Sequence, residues 1–600
     1  MALARKIIER GSNTSNDDIP ESASLRKLKQ QSPDRGSDQY ATQQWLIVHV
    51  ARLNELISDH ICTQCTGSGL QIDPQNQGFC SSFLLECSLC ERDKYCKSVF
   101  TSTRLHQETR GDVAFDVNIR MVLLAHELGL GYAALKKISK ILGIPGLCLK
   151  TFQRHDKTVT GRLWQDMYNN IIHIILVAEI ERGLESMQRT RDQIREAYSE
   201  IDPDVADIIR EDENATINIS VSFDGTWQKR GFTSRHGIGV CIDILTGLVL
   251  DFEVLSSYCH ACTLRESARR DGKMTQEEFE SWKETHVDCA KTFSGSSKAM
   301  EQEAAKRMWA RSVSQHQLRY TEMLSDGDSA AFRQVVELNP YPGHEITKLE
   351  CINHAHKRMG TALRNLSAKA KLGGKGQGKL TAKKCKALQN FYRGAILNNQ
   401  GSVDVMKAQI WAGLLHCMSS DDNPMHTRCS PTWCWYRRAE ENGENPDSHR
   451  LHAGNSLSRE VGQKLIPVYH RMSSDSLLTR MQHGGTQNAN ECLNLVIWAR
   501  CPKTVFVGKT RVEAAASMAI STFNEGASAM LAVMEKLWLQ STVVTVNRMK
   551  VDDMVRISKA NSVHSASAKR KRKSVSTARK VKRHQQEIEE GPTYGAGMEM

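Results

Sequence analysis

The chain has 600 residues, 40% hydrophobic and 25% charged, which is enough apolar content to close several packed cores. Net charge is +12, but residues 569–583 carry nine Lys/Arg and no acid, so the remainder holds only 12 − 9 = +3 and any nucleic-acid surface on it must be local. The greasiest stretch, 171–180, is too short to span a membrane, and the first residues lack the apolar core of a signal peptide; the eighteen cysteines are therefore expected as reduced thiols, paired on metal rather than in disulfides.

Residues 1–40, rich in Ser, Asp, Gln and Lys, read as disordered. A cysteine module occupies 41–110: Cys62-x2-Cys65, twenty-one residues, then Cys87-x2-Cys90. Two such knuckles complete a closed tetrahedral thiolate shell for structural Zn²⁺, with Cys80 and Cys96 as spare ligands. Residues 111–205 have helical periodicity broken at Gly131 and Pro145-Gly146, which suits either a DNA-reading helix-turn-helix or small helices packed for stability.

Strands begin near 215. "TINISVSF" alternates, placing Ile217, Ile219, Val221 and Phe223 on one face, and runs into Asp224-Gly225. That dipeptide is either an ordinary turn or a carboxylate held rigidly at a sheet edge. "GIGVCIDILTGLVLDFEVLS" predicts two strands joined at Thr246-Gly247. An insertion at 257–295 then presents Cys259-x2-Cys262 and His286-x2-Cys289, a second structural Zn²⁺ pattern. A helix, the strand "LRYTEML", a helix and the strand "ITKLECI" follow.

Three strands with a hairpin, helix, strand, helix, strand and helix is the layout of a ribonuclease-H-like mixed α/β sheet. The expected core is 214–360 plus 476–540, divided by a helical insertion at 361–475, with a basic disordered tail at 541–600. In such a sheet the first and fourth strands are neighbours, so Asp224 and Asp326 would meet, with Asp328 as the alternative second acid. Glu491, in the first turn of the helix predicted over 486–500, can face the same place. Clustered carboxylates are hard oxygen donors for a pair of Mg²⁺ or Mn²⁺ ions.

Within the helical insertion, "MHTRCSPTWCWY" offers His426, Cys429 and Cys434 as a weaker zinc group without a clear fourth ligand. "GGKGQGKLT" nearly spells a phosphate-binding loop, but Leu380 stands where Ser or Thr would ligate Mg²⁺. Seven lysines and no acid in 369–386 instead suit phosphate contacts through Lys375, Lys379, Lys383 and Lys384, or a solvated loop.

"SFDGTWQKRGF", "SDGDSAAF", "LECINHAHKRMGTALR" and "TQNANECLNLVIWARCPK" together resemble the signature segments of Mutator-like DNA transposases, over about 45–540. The resemblance implies an Asp-Asp-Glu triad at Asp224, Asp326 and Glu491, and cut-and-paste chemistry on double-stranded element ends and target DNA. It also implies a homo-oligomer on DNA and a Cys-x-x-His pair, here Cys351 and His354, that either organises the site or is only a buried thiol and a helix-start histidine. The tail reads as a nuclear import signal for an import receptor, or as non-specific DNA affinity. Two other functions remain open: a host-adopted zinc-containing DNA-binding protein that no longer cuts, and a nuclease without strand transfer.

Overall fold

The computed structural model describes residues 47–563, apart from 69, 91–95, 103–114, 149–170, 230–232, 288, 327–329, 375, 377 and 453–455. Helix α1 (Val50–Ile57) precedes an antiparallel sheet of β1 (Leu70–Gln77), β2 (Cys80–Cys87) and β3 (Cys96–Phe100), with β2 in the middle. Pro74 is tolerated because β1 is an edge strand. Asn54 of α1 accepts the Ile72 N–H at 2.8 Å, tying helix to sheet.

Among the described residues four helices follow: α2 (Asp116–Glu127), α3 (Tyr132–Leu142), α4 (Ile171–Ile201) and α5 (Pro203–Glu211). The expected third short helical segment lies largely outside the described residues. Ile119, Val122 and Leu123 of α2 pack with Ala178 of α4 and with Met518, Val533 and Met534 far down the chain, so this region shares a core with the C-terminal helices.

The central sheet has five strands in the order β6-β5-β4-β7-β8: β4 (Ile217–Trp227), β5 (His236–Asp243), β6 (Val249–Ser256), β7 (Leu318–Ser325) and β8 (Thr347–Glu350). β4, β5 and β6 are mutually antiparallel, whereas β7 lies parallel to β4 and β8 parallel to β7. Ile217, Ile219, Val221 and Phe223 do share one face, packed on Met300, Met308 and Trp309 of α8 (Ser297–His316). Ile238, Val240 and Ile242 of β5 face the other way, onto Leu493 and Ile497 of α16 (Asn488–Arg500) and Val512 and Ile520 of α17 (Lys509–Glu525). The hairpin between β5 and β6 turns at Gly247, where φ is 70°, with Asp243 accepting from the Thr246 N–H at 2.7 Å.

Between β6 and α8 stand α6 (His260–Arg270) and α7 (Gln276–Thr285), neither of which buries a single residue. Helix α9 (Ala330–Leu338) links β7 to β8. After β8, helices α10 (Ile352–Lys369), α11 (Ala382–Leu397), α12 (Val403–Met418), α13 (Trp435–Glu441), α14 (Arg459–Met472) and α15 (Asp475–Thr479) form the insertion. All but α13 contribute to one core, which includes Leu363, Leu388, Ile410, Leu465 and Leu478. Helix α10 begins at Ile352, so His354 is inside its first turn.

At the far end, α17 runs against α4 so closely that a Cβ on Gly183 would sit 2.8 Å from the Ser517 Cα. Helices α18 (Ala529–Lys536) and α19 (Val543–Val563) complete the described chain. The segment expected to start the tail is therefore helical and docked: Arg556 donates to the carbonyls of Thr522 and Phe523. The basic run at 569–583 lies outside the described residues.

Candidate active site and metal-ligand sets

Asp224 lies within β4, not beyond it. The strand continues through Trp227, with Asp224 opposite Val240 and Gly225 opposite Gly239, which excludes the turn. Glycine follows the acid because α8 crosses there; a Cβ on Gly225 would fall 2.8 Å from Glu301 Cγ. Nor is Asp224 on an outer strand, since β4 is the middle strand of five. Pairing of β4 with β7 stops at Ser222–Leu324, and Asp224 and Asp326 each stand two residues past that pair. The two carboxylates are thus neighbours at the point where parallel strands part.

The Nδ1 of His354 lies 3.0 Å from Asp326 Oδ1. Asn494 donates from Nδ2 to Asp224 Oδ2 at 3.0 Å. Burial pushes the Asp224 carboxyl up to about 6, assisted by the Asp326 charge and opposed by Asn494 and His354. His354 is raised in turn, first by its hydrogen bond to Asp326.

Helix α16 is laid along β4 by its own side chains. Gln487 donates to the Phe223 carbonyl at 2.8 Å, the Ser222 hydroxyl donates to Asn490 at 2.6 Å, and Trp498 donates to Thr226 at 2.8 Å. At about 100° per residue, Glu491 falls on the same side of the helix as Gln487, Asn494 and Trp498. It is exposed. The three acids are not among the groups of described residues whose ligand atoms all close to within 4.8 Å. Asp328 lies outside the described residues.

Where the insertion leaves and returns, three bonds stitch α10 to α16. Cys351, buried, accepts the Gln487 N–H at 3.5 Å; Asn353 donates to Asn488 at 2.9 Å; and the Ile352 N–H reaches the Gly485 carbonyl at 3.3 Å. Sequence reasoning missed Gln487, Asn490 and Asn494. Their signal was a row of amides spaced three and four residues apart, on one side of the predicted helix.

Among the described residues three Cys/His sets could hold zinc: Cys62, Cys65, Cys87 and Cys90; Cys259, Cys262, His286 and Cys289; and His416, His426, Cys429 and Cys434. A tetrahedral zinc with bonds of about 2.3 Å to sulfur and 2.0–2.1 Å to nitrogen has edges of roughly 3.8 Å between sulfurs and 3.5 Å between sulfur and nitrogen. In the first set Cys62–Cys90 and Cys65–Cys87 are both 3.7 Å apart. In the second, Cys259 lies 3.3 Å from His286 Nε2 and Cys262 3.5 Å from Cys289. Burial opposes ionisation of Cys259, yet the Cys262 N–H and His286 lower its thiol, while burial and the neighbouring sulfurs of Cys289 and Cys259 raise that of Cys262. Cys80 starts β2 while Cys87 ends it, so Cys80 is no spare ligand; nothing is described of the Cys96 side chain.

Among the lysines, Lys379 and Lys383 are exposed and Lys375 lies outside the described residues. Lys384 is buried, its Nζ donating to the Ser456 carbonyl, so it is a structural group and not a DNA contact. Residues 351–403 contain eleven Lys/Arg and no acid. Three of these cations, Lys386, Arg393 and Lys357, join burial in holding His356 below its usual range, and Lys357 also acts on His354 at the acids. Lys357 on α10 and Lys383 and Lys386 on α11 are exposed, so both helices present cations to solvent.

A mixed α/β core with acids where parallel strands part, flanked by cation-rich helices and Cys/His sets, has the makings of a nucleic-acid enzyme. The Mutator-like transposase family model matches residues 45–434, about two thirds of the chain, and the chain belongs to that family. The match takes in Asp224, Asp326 and all three Cys/His sets and ends short of Glu491, so it is narrower than the span expected from the signature segments. No curated protein and no solved structure matches the chain. Membership implies DNA as partner and a nuclease or transferase class of activity. No helix among the described residues is long and apolar enough to cross a membrane.

Proposed function

We propose that the chain is a metal-dependent DNA transposase with a ribonuclease-H-like core, in which Asp224, Asp326 and Glu491 are the metal ligands. The observation that carries the reading is the placement of Asp224 and Asp326 at matching positions past the last β4–β7 pair, beneath a helix docked by Gln487, Asn490 and Asn494. Their carboxylate oxygens suit hard divalent cations, and burial, assisted by the Asp326 charge, raises the Asp224 carboxyl, a penalty that a bound cation would offset. When bound, Mg²⁺ or Mn²⁺ would activate the attacking oxygen and stabilise the leaving one in hydrolysis at element ends and attack of the freed 3′-hydroxyl on target DNA. The chain's own residues orient that chemistry. Asn494 holds the Asp224 carboxylate, His354 holds Asp326, and Cys351 anchors the start of the helix bearing Glu491.

In this reading, duplex DNA lies along α10 and α11, with Lys357, Lys379, Lys383, Lys386 and Arg393 on its phosphates. The first two Cys/His sets are structural, because all four tetrahedral positions are protein ligands. The second braces α6 and α7, which lack a core of their own. The tail would direct the protein to the nucleus, and the active species would be an oligomer on DNA.

The test is nicking and joining of plasmid DNA with Mg²⁺ or Mn²⁺. Asp224→Asn is expected to abolish cleavage while leaving DNA binding nearly intact; equal cleavage by the variant refutes the assignment. Cut ends without joined products would identify a nuclease, and binding with no cutting by the native chain would identify a DNA-binding protein that has lost the reaction.

A further inference from the structure

The third Cys/His set lies in the helical insertion, away from the acids, and was readable only as an incomplete trio. Helix α12 supplies the missing group. His416, in its last turn, brings Nδ1 to 3.2 Å from the Nδ1 of His426, and the two sulfurs lie 3.5 to 3.9 Å from these nitrogens: Cys434 at 3.6 and 3.5 Å, Cys429 at 3.9 and 3.8 Å. Those are five of the six edges of a tetrahedron. With zinc bonds of about 2.0–2.1 Å to nitrogen and 2.3 Å to sulfur, the edges should be roughly 3.4 Å between nitrogens and 3.5 Å between nitrogen and sulfur.

The surroundings are those of a metal ligand shell, not of a solvated cluster. His426, Cys429 and Cys434 are each less than a tenth exposed. Tyr436 stacks on His426 at 4.4 Å, and Trp433 closes against His416 at 5.2 Å. The ring atom of His426 turned away from the set, Nε2, lies 2.9 Å from the Nε2 of His449, whose Nδ1 lies 2.7 Å from an Asp421 oxygen. If Nδ1 of His426 binds a metal, Nε2 carries its proton and donates to His449, whose own Nδ1–H then donates to the carboxylate. The Ser419 hydroxyl lies 2.9 Å from both Nε2 atoms and joins the same row. Such outer partners fix the tautomer and orientation of a ligating histidine.

We infer that His416, His426, Cys429 and Cys434 form a third zinc site, closed and structural, with His449 and Asp421 as its outer support. Two imidazoles and two thiolates in a closed tetrahedron select zinc over Mg²⁺ or Ca²⁺. The ion joins three separate pieces: the end of α12, the loop after it, and Cys434, which caps α13 by accepting the Arg437 N–H at 3.5 Å. It therefore reinforces a thin attachment of α13 and its loop to the helical insertion, where Cys429, Cys434, Trp433 and Tyr436 form only a small cluster with Ala412 of α12, apart from the main helical core. This inference does not depend on whether the acids cut DNA.

The experiment is a metal count by mass spectrometry on the full chain, purified without chelator. Three zinc equivalents are expected in the native chain, two in His416→Ala and two in Cys62→Ser. His416→Cys keeps four ligands and should retain all three; after exchange of zinc for cobalt, its spectrum should show one more thiolate bond than the native chain. Two equivalents in the native protein, three in folded His416→Ala, or a cobalt spectrum unchanged by His416→Cys would overturn the site.

Discussion

Asn494→Ala removes the only side-chain hydrogen-bond donor to Asp224 among the described residues, and its effect on metal binding should depend on pH in a way that can be worked out. A hydrogen bond to a charged group contributes about 1.5–3 kcal/mol. Taking the lower figure, and about 1.36 kcal/mol per pH unit, the Asp224 carboxyl should rise by roughly 1.1 units from its value of about 6. Its ionised fraction would then fall from about one half to about 7% at pH 6, from about 91% to about 44% at pH 7, and scarcely at all at pH 8.5. Since the metal takes the ionised form, the variant should bind Mn²⁺ about sevenfold more weakly at pH 6, about twofold at pH 7 and almost equally at pH 8.5. Titration of Mn²⁺ followed by electron paramagnetic resonance reads this directly, without DNA or catalysis. A loss of the same size at all three pH values, or none at pH 6, would refute the argument that Asn494 holds Asp224 in its ionised form.

Gly183→Ala should destabilise the fold by about 1–3 kcal/mol, because the new methyl meets the Cβ and Cα of Ser517 on α17, whereas Gly394→Ala on α11 meets nothing within 4 Å and should stabilise by about 0.4–1 kcal/mol; urea unfolding of both variants checks the pair. His483, in the loop leading to α16, is held down to about 4 by burial, so it folds neutral. Its contribution is complete above its unfolded value near 6.5 and disappears as pH falls towards 4, at a cost of about 3 kcal/mol; hydrogen exchange across 480–487 should rise between pH 6.5 and 4, and His483→Gln should remove that dependence. Lys383→Met should reduce the salt dependence of DNA binding by about one phosphate contact, whereas Lys384→Met should lower thermal stability and leave the salt slope unchanged; similar salt slopes for the two variants would sink the distinction.

Much of the core was legible because its signals are local. Alternation in "TINISVSF" reports a strand with one face buried, and Ile217 to Phe223 lie on it. The order of elements anticipated that Asp224 and Asp326 would be neighbours. Why Gly225 follows Asp224 could not be read this way, since Asp-Gly has the same local meaning in a turn as beneath a crossing helix, and only Glu301 of α8 distinguishes them. Lys383 and Lys384 look alike in a string, yet adjacent helical positions point about 100° apart, sending one to water and the other to the Ser456 carbonyl. His416 was hidden for a related reason: it sits in the helix "VDVMKAQIWAGLLHCM", ten residues before His426, with no knuckle to mark it. The stitch between Cys351 and Gln487 spans 136 residues, a separation at which no pattern in the string reports contact.

That stitch has a consequence for how the protein can change. The chain departs at Ile352 and comes back at Gly485 with the two backbones hydrogen-bonded, so everything between hangs from a doorway of fixed width. Lengthening a tether whose ends are already held together costs only about 0.6 kcal/mol per doubling. Segments of quite different size could therefore be grafted between α10 and α15 while α16 keeps its place along β4, and two fragments separated in that stretch should find each other again through the doorway.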